Sequence, residues 1–171
     1  METPLFLMRS FFITSKSAIV IFKKIAIMKI EKLFEVKANK LFKIADGSEI
    51  ENPQKLAFCV KWSDVEFAES EYNEGFLADL RNKLKSREQE NRFIFIEPIF
   101  DKDAPVSRFI SAMKHVSRRI KDCACVIGFA IPEKIACDSA TMKEYMANLS
   151  DKHEHYVYFC KKNQNDNIVL Y

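Results

Sequence analysis

From Leu33 onward the spacing of hydrophobic and polar positions changes period several times, and each change marks an element. Residues 33–51, LFEVKANKLFKIADGSEIE, hold two short alternating runs around Ala38-Asn39 and then a turn at Asp46-Gly47, which predicts a β-hairpin ahead of the main fold. LAFCVKW (56–62) is an apolar run ending at Ser63-Asp64 and reads as a buried strand, followed by a polar loop. In NEGFLADLRNKLKS (73–86), Phe76, Leu77, Leu80 and Leu84 share one helical face. RFIFIEPIF (92–100) is a second continuous strand, closed at Glu97-Pro98.

The alternation continues to the end of the chain. PVSRFISAMKHVSRRIKDC (105–123) is a helix with Phe109, Met113, Val116 and Ile120 on its core stripe, and CVIGFAIP (125–132) is a third strand. DSATMKEYMANLSDKH (138–153) is a helix capped by Asp138 or Ser139, with Met142, Tyr145, Met146 and Leu149 inward. HYVYFCKK (155–162) is a fourth strand with Tyr156 and Tyr158 on one face, and NIVLY is a frayed or edge terminus. The order β-α-β-α-β-α-β after a hairpin predicts an α/β fold with parallel strands, a partial TIM-barrel-like or open-sheet domain. The expected organisation is one α/β domain over residues 28–171, with the hairpin at 33–51 and the βα units at 56–162.

Residues 1–27 fit none of these periods. They are apolar and basic, but Arg9, Lys16, Lys23 and Lys24 interrupt them, and no run approaches the roughly 20 residues that span a bilayer. Lys16 also splits the apolar region that a signal peptide needs. The expectation is a leader outside the fold, read either as an over-extended gene start before Met28 or as a membrane-surface helix.

Composition narrows the chemistry. With 3 glycines in 171 residues there is no Gly-rich phosphate loop, so neither the dinucleotide fingerprint nor the P-loop is present. A net charge of +3, from 27 basic and 24 acidic residues, is too balanced to argue for nucleic acid. The basic cluster Lys114, Arg118, Arg119 and Lys121 reads as a solvated helix face. The 5 cysteines lack CxxC pairing, which argues against a disulfide framework or a zinc site and for a reducing cytoplasm. Cys59, Cys125 and Cys160 fall in apolar runs, where a thiol behaves as a small hydrophobe. His115 falls opposite its helix's core stripe and is expected to be exposed and inert. His153 and His155 flank Glu154, but no third ligand accompanies them. No metal and no cofactor are expected.

Three segments carry a resemblance. VKWSDVEFAESEYNEGFLADLRNKLK is similar to the second strand and following helix of cellulase-like glycoside hydrolases with (β/α)8 barrels. RRIKDCACVIGFAIPEKI resembles that group's fourth strand, which ends in Asn-Glu-Pro, and FEVKANKLFKIADGSEIE resembles the hairpin that closes the bottom of such barrels. The resemblance covers residues 33–160 in the family's order. Here the signature stands as Pro132-Glu133-Lys134, and the chain stops after what would be the fifth strand; a full barrel takes about 250 residues.

By that resemblance Glu133 occupies the acid/base position, either as a working acid or as a relic. The family's second catalytic carboxylate would stand on a later strand that this chain lacks. Glycoside hydrolysis needs two carboxyl groups, about 5–5.5 Å apart for retention or 6.5–9.5 Å for inversion. Glu133 alone cannot fill both roles. Asp64, Glu66, Glu97 and Asp101 also follow strands and either face the same rim, with Asp64 and Glu97 as candidate substrate-binding residues, or are ordinary loop acids. Trp62 either stacks on a sugar or packs into the rim. The resemblance implies a partial barrel, not catalytically competent alone, that retains carbohydrate binding; the alternative is an open-sheet interaction or scaffold domain. Either reading implies self-association through exposed sheet edges, or their capping by the hairpin and NIVLY. A third expectation is a piece of a longer, frameshifted gene.

Overall fold

A computed structural model describes residues 30–151, 153–162 and 164–171; the expectations for the leader, 1–27, lie outside the described residues. The first alternating runs form an antiparallel hairpin of β1 (Phe34–Lys37) and β2 (Lys40–Lys43). Between them Ala38 and Asn39 take φ of 49° and 63°, the positive pair that lets a two-residue turn match the twist of its strands.

After a short 3₁₀ turn at Pro53–Leu56 come β3 (Ala57–Lys61) and a one-turn helix, α1 (Trp62–Val65). A second small hairpin follows, β4 (Glu66–Ala68) with β5 (Glu71–Tyr72). Then come α2 (Glu74–Gln89), β6 (Ile94–Ile99), α3 (Val106–Arg119) and β7 (Val126–Ala130). The chain finishes with the short α4 (Glu133–Ala136), α5 (Ser139–Ser150), β8 (Val157–Cys160) and β9 (Val169–Leu170). The α5 cap falls to Asp138, whose carboxylate accepts from Thr141 N–H at 2.7 Å.

The main sheet is five parallel strands in the order β3-β6-β7-β8-β9. Strand order follows chain order, and the sheet stays open. Strand alternation sends Ile94 and Ile96 to one face and Phe95 to the other. The first face packs against Leu77, Leu80 and Leu84 of α2, Phe109 and Met113 of α3, and Tyr145 and Leu149 of α5. Tyr156 and Tyr158 share that face. The opposite face, with Phe95, Ile127, Val157, Phe159 and Val169, packs against Phe34 and Leu41 of the first hairpin. The result is three layers: helices, sheet and hairpin.

Two expectations are corrected, and two open readings are decided. β6 does not stop at Glu97-Pro98 but runs through both to Ile99. Pro98 pairs with Val60 of β3, while the β6–β7 register has already ended at Ile96 and Phe129, so the missing N–H takes nothing from that ladder. The polar loop after β3 contains α1 and the β4–β5 hairpin, because Val65 and Glu66 turn inward. Of the two readings of NIVLY the edge one holds: Ile168 and Val169 are buried, and β9 pairs beside β8 as the sheet's fifth strand. The first hairpin is integral to the core: Asn39 accepts from Leu170 N–H at 2.9 Å through its carbonyl, and its amide donates to the Ile168 carbonyl at 2.9 Å. No helix among the described residues is long and apolar enough to cross a membrane.

Candidate carboxylate cleft at the strand ends

Parallel strands that each lead into a helix place their carboxyl ends together, and loops there form a rim. At this rim lies a cleft of about 300 Å³ lined by Glu97, Phe100, Glu133, Lys134, Lys161, Lys162 and Tyr171, with Ala130 and Ile131 in its wall. Glu97 is two residues beyond Phe95 and so belongs to the face that carries the hairpin. Glu133 opens α4 immediately after Pro132. Tyr171 follows β9 and packs edge-on against Phe95, with centroids 5.0 Å apart. Three elements distant in sequence thus converge on one site.

Each carboxylate in the cleft has a lysine. Glu97 pairs with Lys161 at 2.7 Å, accepts from the Tyr171 hydroxyl at 3.0 Å, and receives the Cys59 thiol at 3.5 Å. Burial works to raise its pKa, but the bonds from Lys161 and Tyr171 outweigh it and hold the carboxyl below its usual range. Glu133 pairs with Lys162, whose hydrogen bond and charge likewise lower its pKa. A desolvated strand end can make a carboxyl a neutral-pH proton donor, but Glu133 does not sit in one: its side chain is 69% exposed. Lys162, rather than the adjacent Lys134, supplies its counter-charge. Lys134 instead lies over the Phe100 ring, 4.4 Å from the centroid.

The other candidate residues lie apart from the cleft. Asp64 is exposed on α1 and does not line it. Trp62 is 0% exposed and presents no ring face to a ligand. It packs edge-on against Phe100 at 5.1 Å and Phe109 at 5.5 Å, so it supports the cleft wall from behind. Its indole N–H donates to Glu66 at 2.7 Å.

Glu66, read from the sequence as a rim acid or a solvated loop acid, is neither: it is buried and does not line the cleft. It is 1% exposed and accepts from Trp62, from Arg108 Nε at 3.0 Å and from Ser70 N–H at 3.0 Å. A buried carboxylate persists only when paired and hydrogen-bonded in this way. The i,i+4 spacing from Trp62 to Glu66 was the available signal.

Other expectations about polar residues shift as well. His115 is half-buried rather than exposed, stacked on Tyr72 at 3.8 Å and bonded to Glu74 at 2.9 Å. The basic face of α3 is partly paired, Arg119 with Glu74 at 2.7 Å and Lys114 with Asn148 at 2.9 Å. Cys59 is exposed, unlike Cys125 and Cys160. Among the described residues no group of three His, Cys, Asp or Glu side chains could hold a metal ion. No protein-family model matches the chain, and no curated protein matches it significantly.

Proposed function

We propose that the protein is a non-hydrolytic carbohydrate-binding domain with the winding of a partial cellulase-like barrel. The observation that carries this reading is the cleft, where two lysine-paired carboxylates stand beside Phe100 and Tyr171 at the strand ends. Ionised carboxylates and lysine ammonium groups are, respectively, acceptors and donors for sugar hydroxyls, and aromatic rings give a sugar an apolar surface. Chain-ordered strands with helices on one face support the barrel-like winding. The same pairing argues against catalysis. Glycosidic cleavage needs one carboxyl kept protonated near neutral pH, and both cleft carboxyls are shifted the other way.

The purified protein should release no product from aryl β-glucosides or β-glucan above the level of a Glu133→Gln control. Turnover that disappears in that variant would make Glu133 a working catalyst and overturn the non-hydrolytic reading.

The alternative, an interaction domain, is favoured by β3, which is an edge strand with exposed Cys59 and Lys61. Concentration-dependent dimerisation, abolished by a proline at Cys59, would select it.

A further inference from the structure

A second cleft lies at the opposite end of the sheet, where β3 and β6 begin at Ala57 and Ile94. It measures about 330 Å³, near the lower end of the size range of small-molecule sites. Phe34, Leu56 and Phe93 give it an apolar floor, and Phe34 and Phe93 meet edge to face at 5.0 Å. Among the described residues, every charged residue lining it is cationic: Lys43, Lys55, Arg87 and Arg92. Several cations elsewhere in the protein are paired with acids, as in Arg81–Asp122, Arg119–Glu74, Lys161–Glu97 and Lys162–Glu133. Here Arg92 reaches Glu90 at 3.4 Å on the exposed side, and Arg87 lies over the Phe58 ring at 5.3 Å. The described lining residues contribute no carboxylate.

We infer that this cleft binds a small amphipathic organic anion, an acyl or aryl group bearing a carboxylate or phosphate. The apolar floor supplies burial for the hydrocarbon. The four cations around it, with the charge of Arg92 partly answered by Glu90 and that of Lys43 by Asp46, supply a net positive field that low-dielectric walls concentrate. A neutral hydrocarbon would leave that charge unanswered, and a cationic one would be repelled. Sugars have too little apolar surface for this floor, so the site is independent of the carbohydrate reading.

The test is calorimetric titration of the intact chain with octanoate and octyl phosphate, against octanol and octylammonium. The two anions differ in headgroup and separate carboxylate from phosphate recognition. Both anions, or one of them, should bind, octanol should bind at least tenfold more weakly, and octylammonium should give no heat. Charge reversal of Lys43 and Lys55 to Glu should weaken anion binding by about tenfold, the product of two exposed charge contributions. Lys83→Glu on the exposed face of α2 should leave it unchanged. Amide NMR shifts should gather at Leu56, Phe93 and Ile94. Equal binding of anion and alcohol, no binding of either anion, or shifts gathered instead at Ile131 and Tyr171 would overturn the assignment. The comparison of ligands on the unaltered protein decides even if the double variant fails to fold.

Discussion

His155 is buried, its ring packs against Tyr156 at 4.5 Å, and its Nε2 has no hydrogen-bond partner among the described residues. Burial, and then the neighbouring His153, push its pKa from 6.5 down to about 4. In the unfolded chain it takes up a proton near pH 6.5, whereas in the folded chain it does so only near 4. Its contribution to stability is therefore fully present above pH 6.5 and is lost as pH falls towards 4, about 3 kcal/mol in all at about 1.4 kcal/mol per pH unit. Urea unfolding between pH 7 and 4 should show a steeper loss for the natural chain than for His155→Phe. Parallel curves for the two would contradict this.

The same burial was hidden in the sequence, because HEH reads only as a helix-to-strand junction until Tyr156 and Val126 close around it. Glu133 shows the opposite case. Its position past a strand was legible, but its electrostatics were not, since Lys162 lies 29 residues on and reaches it only through β8.

β7 shows how one residue type fixes an element. A Cβ at Gly128 would lie 1.7 Å from the Val157 carbonyl oxygen, with no flexible side chain to give way. The β6–β7 register shifts in the same stretch, where Ile94 faces Val126 but Phe95 faces Gly128. That irregularity lets Ile127 face the hairpin and Phe129 the helices. Gly128→Ala should cost about 3 kcal/mol or more, the range of severe overpacking. Chemical denaturation checks it, and an unchanged midpoint would refute the close approach. The long strands and helices were readable because each buries a stripe with a clear period. β4 and β5 were not, and β9 only as one of two readings of NIVLY, since two or three residues are too few to establish alternation. They form because Glu66 and Val169 find buried partners elsewhere in the fold.

Taken together, the strands wind in one direction, the helices cover one face and a hairpin fills the other. In a closed barrel that second face would look inward onto further strands. Here Phe34 and Leu41 occupy it, and Tyr171 extends it to the rim. This arrangement lets the sheet remain open with its inner face covered, and it leaves Glu97 at the cleft. The alternation of strand and helix made the α/β class legible from the chain. The hairpin's place across the sheet was not, because it depends on Asn39 meeting residues 165–170, far away in sequence. The most direct test of a carbohydrate-binding cleft is amide NMR mapping of the protein with cellotetraose at millimolar concentration. Saturable shifts confined to Glu97, Phe100, Ile131, Glu133, Lys161 and Tyr171 are expected, weakened by Glu97→Ala. A spectrum unchanged by the sugar, or shifts confined to the β3 edge, would contradict it.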